Sequence, residues 1–149
     1  MESRIFPDWD HIKNFHNPLT DGEKTLLIYL DNNLPKDSNW KVGSPLSEYH
    51  GWLIFVQPYL NGSRPDIILF NPYVGIQIIE VKDWNLKCYG ITYNKDKKQS
   101  EMYATNKEYS YTIKRPDKQV EYYKNLLIEQ LVPKIGETID NINKVYGLI

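Results

Sequence analysis

A chain of 149 residues has the length for one domain with a true core, and 41% hydrophobic against 25% charged residues is ordinary for a globular protein. The formal net charge of −1 excludes a uniformly basic nucleic-acid binder, and the single cysteine, Cys88, excludes an internal disulfide framework. No apolar run reaches membrane-spanning length and the N-terminus does not read as a signal peptide, so the expected location is the cytoplasm, with no membrane partner.

Residues 1–19 form a lead-in whose Phe6, Trp9 and Phe15 suit packing onto the domain. His11 and His16 fall here without ligand spacing and read as surface or packing residues. Thr20-Asp21-Gly22-Glu23 is a capping box, with threonine as N-cap and glutamate three residues on. The helix it opens runs to Asn33, and Leu34-Pro35 ends it. Glu23, Leu27 and Leu30 share a helical face, so the capping glutamate also leans toward the core. Asn39 to Val42 reads as a short strand and residues 43–50 as a polar loop. Trp52 to Tyr59 reads as a strand, with Pro58 at an edge or bulge, and Asn61-Gly62 as a hairpin turn.

The most informative stretch is Arg64 to Trp84. Asp66 to Phe70 and Ile76 to Lys82 have the composition of buried strands, and Asn71 to Gly75 carries the turn chemistry between them. Alternation along a strand puts Asp66 on the face of Ile68 and Phe70, and Glu80 and Lys82 on the face of Ile76 and Ile78. Two carboxylates set close together raise each other's pKa unless a cation lies between them. Magnesium binds through one or two carboxylates with phosphate and water, and a neighbouring lysine stabilises an attacking hydroxide or a charging phosphate. The trio suits phosphodiester hydrolysis. The plainer reading is that Asp66 ends a strand while Glu80 and Lys82 merely pair with each other.

Beyond Trp84, Lys87 to Tyr93 alternates as a strand that would contain Cys88, Asn94 to Lys98 is a turn, and Met102 to Ile113 holds one or two more strands. A second helix opens at Pro116, with Val120, Tyr123, Leu127 and Leu131 at helical spacing and Gln119 one turn before Tyr123. A third amphipathic helix is expected over 133–146. Charge is unevenly spread: residues 1–86 hold seven Lys/Arg against eleven Asp/Glu, and residues 87–124 hold nine against five. The basic stretch is interleaved with Tyr89, Tyr93, Tyr103, Tyr109 and Tyr111, a mixture that suits a nucleic-acid surface or, equally, a solvated hairpin with lysine-protected edges.

Pro65-Asp66 followed by Glu80-Val81-Lys82 resembles the PD-(D/E)XK nuclease signature. With Gly22-Glu23, Arg64-Pro65-Asp66, Asn71-Pro72, Gly75-Ile76, Asp83-Trp84 and Pro116-x-x-Gln119, the chain over about residues 18–131 is similar to the nuclease-related domain family. That resemblance implies an α/β restriction-endonuclease-like core, a central mixed β-sheet flanked by helices, in a single domain over 1–149. It implies an Mg²⁺- or Mn²⁺-dependent deoxyribonuclease acting in DNA processing, repair or defence. Asp66, Glu80 and the Val81 carbonyl would hold the ion, Lys82 would serve the nucleophile, and Glu23 would add an outer or third carboxylate. Gln119 and Tyr123 would support the site. DNA is the implied partner, with RNA open, beside a helicase or other domain on the same or a neighbouring chain. Two rivals are a catalytically silent DNA-binding or regulatory module and a protein-interaction domain with structural acids.

Overall fold

The structure, a computed structural model, describes residues 4–41, 44–45, 48–106, 109–131 and 145–148. Its centre is a five-stranded mixed sheet in which β1 (Ile5–Phe6), β2 (Leu53–Val56), β3 (Ile67–Asn71), β4 (Gly75–Ile79) and β8 (Val145–Leu148) lie side by side in that order. The middle of this sheet is a meander of β2, β3 and β4, each antiparallel to its neighbour. The turn into β3 is tight because Asn61 (φ 42°) and Gly62 (φ 84°) both take the left-handed conformation, while Leu60 and Ser63 exchange hydrogen bonds of 2.8 Å. Between β3 and β4, the Asn71 side chain accepts from the Tyr73 and Val74 amides and donates to the Gly51 carbonyl, so one buried amide holds the turn.

Two helices cover the two faces. The first, α2 (Asp21–Asn33), follows a short α1 (Trp9–Ile12); its capping box is complete, with Thr20 and Glu23 each bonding the other's backbone. Leu27 and Leu30 pack with Ile54, Val56, Ile67, Leu69 and Ile79 on one face of the sheet. The second, α3 (Pro116–Leu126), continues into a π-helical turn, Leu127–Leu131. Val120, Tyr123, Leu126 and Leu127 pack with Ile68 and Ile78 on the other face. Both faces of the meander are therefore buried, which is why its strands read as near-continuous apolar runs. Each large aliphatic side chain so buried contributes about 1.5–3 kcal/mol. The hairpin additions form a second sheet of β5 (Tyr89–Asn94), β6 (Gln99–Thr105) and β7 (Ser110–Ile113), all antiparallel. Among the described residues no helix is long and apolar enough to cross a membrane.

Several expected boundaries move, each for a local reason. β2 stops at Val56 because Gln57 turns left-handed (φ 46°). Asn39 to Lys41 form no strand, since the Asp37 carboxylate takes the Asn39, Trp40 and His50 amides; Val42 lies outside the described residues. Cys88 closes a 3₁₀ turn, Leu86–Cys88, before β5 rather than lying in a strand. Of the helix expected over 133–146, residues 133–144 lie outside the described residues, and Val145–Leu148 is a strand, β8, parallel to β4. A segment that pairs at a sheet edge has no need of helical periodicity, and four residues are too few to display a strand's.

The lead-in does pack. Ile5 and Phe6 form β1, parallel to β2, and Ile5, Ile12 and Leu19 enter the core. Arg4 is buried and closes the C-terminal end of α2: it donates to the Asp31 carboxylate at 2.9 Å and to the carbonyls of Leu30, Asp31, Leu34 and Pro35. The Asp31 carbonyl lies in the last turn, where a helix end leaves carbonyls unmatched; Leu30's also accepts the Leu34 amide, and Leu34 and Pro35 follow the helix. Arg4→Met is expected to cost about 3 kcal/mol, the low end for breaking a buried ion pair because Lys36 still neutralises Asp31. In thermal unfolding that is a Tm lower by about 10 °C.

Candidate active site

The site lies where β3 begins and β4 ends. Ile67 pairs with Ile79, so the next position outward sets Asp66 across from Glu80, both on the face covered by α3. β4 ends at Ile79 rather than running to Lys82. Pro65 has no amide to extend the ladder, and the Asp66 side chain takes the Val81 amide instead, at 2.7 Å. The ladder thus ends in a side chain, and Glu80, Val81 and Lys82 leave it in a geometry that Asp66 sets.

Glu80 is 3% exposed. Its Oε1 accepts from Lys82 Nζ at 2.5 Å and from Gln119 Nε2, while its Oε2 is buried with no hydrogen-bond partner among the described residues. An unmatched buried carboxylate oxygen is costly, and a cation is the natural remedy. Gln119 Nε2 also reaches the Tyr123 hydroxyl at 2.9 Å, which joins the two helical residues one turn apart to the sheet. Burial holds the Tyr123 phenol above its ordinary pKa, so it serves as a neutral hydroxyl. Lys82 lies over the Trp84 ring at 6.0 Å, and Trp84 in turn stacks on Tyr89 with centroids 4.5 Å apart.

Asp66 is pushed up to about 7. Burial is the largest cause; the charges of Glu80 and Glu23 add to it, and the Val81 amide and Lys82 oppose it. Negative charge is therefore crowded at this point of the fold, the condition that a divalent ion relieves. Among the described residues no three His, Cys, Asp or Glu side chains gather as a metal-holding group. An ion here would rest on two carboxylates completed by backbone oxygen, water and phosphate, which is how magnesium is commonly held. The donor set fits a hard cation.

Glu23 comes from the opposite side of the sheet. It is buried, and both oxygens are engaged: Oε2 by the Thr20 amide at 2.6 Å and Oε1 by Gln57 Nε2 at 3.2 Å. The cap and the inward lean are thus both real, and Glu23 acts on Asp66 through its field. Gln57 is a residue that sequence reasoning missed. Its left-handed backbone aims its side chain at Glu23, while its amide donates to the Asp66 carbonyl at 2.8 Å. A left-handed non-glycine residue costs about 1–2 kcal/mol, and such strain collects at functional sites. The one signal in the sequence was a polar Gln-Pro closing an apolar run. Asp83 was quoted only as part of a motif; its carboxylate accepts from the Gly22 amide at 3.1 Å, at the positive end of α2. A Cβ on Gly22 would collide with that carboxylate.

A mixed sheet between two helices, with an acidic pair and a lysine at one strand end, defines a restriction-endonuclease-like α/β domain. The chain matches the family model of the nuclease-related domain over residues 19–149, and it belongs to that family, within the PD-(D/E)XK superfamily. The match runs past residue 131, where the resemblance read from motifs stopped. No curated protein and no solved structure matches the chain.

Proposed function

We propose that this domain is a metal-dependent nuclease that hydrolyses phosphodiester bonds in DNA. The observation that carries the reading is the pairing of Asp66 with Glu80 at adjacent strand ends, Lys82 on one Glu80 oxygen and the other oxygen buried without a partner among the described residues. Asp66 and Glu80 would hold Mg²⁺ or Mn²⁺, with the Val81 carbonyl as a further donor. What the ion supplies when bound is Lewis acidity, which neutralises phosphate charge and lowers the pKa of water.

The protein's own groups do the rest. Gln119 and Lys82 hold the Glu80 carboxylate in one orientation, and Tyr123 holds Gln119. Lys82, whose ammonium rests on Glu80 Oε1, would present its charge to a phosphate oxygen and stabilise the charge that develops there. Glu23 and Gln57 brace the first residue of the pair from the far side of the sheet.

The test is cleavage of supercoiled, linear and single-stranded DNA with Mg²⁺ or Mn²⁺, beside EDTA and Glu80→Ala. The expected result is cutting that needs the ion and vanishes in the variant. Folded protein that cuts none of the three substrates would make this a silent binding module.

A further inference from the structure

The second sheet has one face without a charge. Its register places Tyr89, Ile91 and Tyr93 of β5 beside Ser100, Met102 and Ala104 of β6, and these beside Tyr111 and Ile113 of β7. The opposite face carries Glu101 and a run of Thr, Ser, Asn and Gln, with Tyr103 lying against Gly90 as its one aromatic ring, so that face is mainly polar. A sheet that turned its apolar face to the core would bury it. Here Ala104 is buried and Tyr89, Met102 and Ile113 are half-buried, but Ile91 is 69% exposed, Tyr93 60% and Tyr111 52%.

Three further observations say what would cover it. The turn between β5 and β6 carries Lys95, Lys97 and Lys98, of which Lys97 pairs with Glu101, and Lys114 follows β7. The stretch from 87 to 124 holds nine basic against five acidic residues, the reverse of the preceding part of the chain. The uncharged face is also continuous with the site: Lys82 lies over Trp84, Trp84 stacks on Tyr89, and Tyr89 is the first residue of that face. Arg115, at the start of α3, donates to the Ser100 carbonyl at 3.1 Å and ties the sheet to the helix that bears Gln119.

We propose that this face is a stacking platform for single-stranded DNA, leading an unpaired strand from Tyr93 and Tyr111 across Tyr89 and Trp84 to Lys82. The proposal rests on the nuclease reading for its direction, and it deepens that reading by naming the substrate class. Exposed rings accept the π-face of any base, and a lysine rim accepts the backbone. A duplex hides its base faces in the stack, so such a platform prefers single strands.

The experiment separates platform from catalysis. Anisotropy titration of a fluorescein-labelled oligo(dT), and of a duplex of equal length, is run in EDTA with the full chain. Hydrolysis of bis(p-nitrophenyl) phosphate with Mn²⁺ is followed in parallel, since that small diester needs no platform. The expected result is tighter binding of the single strand, weakened about tenfold or more by Tyr93→Ala with Tyr111→Ala. The corresponding Phe pair keeps the binding, and both pairs hydrolyse the small diester like the parent. Equal affinity for duplex and single strand would overturn the proposal, as would an unaffected Ala pair. So would a dimer, seen in size-exclusion chromatography, that the Ala pair dissociates. Strand binding by a protein that cuts none of the DNA substrates with Mn²⁺ would uphold the platform while ending the nuclease reading.

Discussion

Lys82→Ala is expected to keep its Mn²⁺ affinity and to lose about 10²–10³-fold in the rate of DNA cleavage, the range for removing one group aimed at developing charge. The reason is a division of labour within three residues. Glu80 presents a buried oxygen without a partner among the described residues and another shared between Lys82 and Gln119. Taking Lys82 away leaves more negative charge for an ion to neutralise, so binding of the ion survives. Glu80→Gln should do the reverse: it removes the charge, and both Mn²⁺ affinity and cleavage fall together. Isothermal titration with Mn²⁺, beside plasmid nicking, reads the two quantities separately. Because Lys82→Ala strands a buried carboxylate, circular dichroism must first show that the protein is folded, and Lys82→Met, which keeps an unbranched apolar stem without the charge, is the companion variant. A Lys82→Ala protein that is folded and cuts like the parent would reduce the lysine to a counter-ion.

The second large effect is on stability. An Asp whose folded pKa stands at about 7, against an ordinary 3.8, prefers to be protonated in the native state. The unfolded chain releases that proton first, so the native state loses stability as pH rises from about 4 to about 7 and carries the full penalty above 7. About three pKa units would amount to some 4 kcal/mol; Asp66 is half-buried, and solvent screening reduces this to about 2 kcal/mol. Asp66→Asn keeps an acceptor for the Val81 amide and discards the charge. Without metal at pH 8 its Tm should exceed the parent's by about 4–8 °C, and the difference should close toward pH 4. Saturating Mn²⁺ should raise the parent's Tm at pH 8 and leave Asp66→Asn unmoved. Parallel Tm profiles against pH for the two proteins would show that Asp66 bears no such strain. The trade is the usual one at an active site, where charge held together for chemistry is destabilising until its ligand arrives.

Much of this was written locally. The capping box at Thr20, the helical spacing from Val120 to Leu127 and the apolar runs of β2, β3 and β4 are short-range patterns, and the structure keeps each of them. Pro65-Asp66 and Glu80-Val81-Lys82 were legible because a hairpin of known register must bring their ends together. What no local pattern carries is pairing at a distance. β1 and β8 join the sheet as parallel edges through a two-residue and a four-residue contact, too short for alternation to show. Arg4 finds the open end of α2 only when the lead-in is laid beside it. Gln57 reaches Glu23 through a left-handed turn that is strained in isolation and is held by the Asp66 carbonyl. Which face of the second sheet is left uncovered was likewise a matter of register, decided when Tyr93 and Tyr111 came to the same side. Side-chain types and their periodicity specified the elements and the chemistry; the closing of long loops, which pays entropy for contacts far apart in the chain, chose the neighbours.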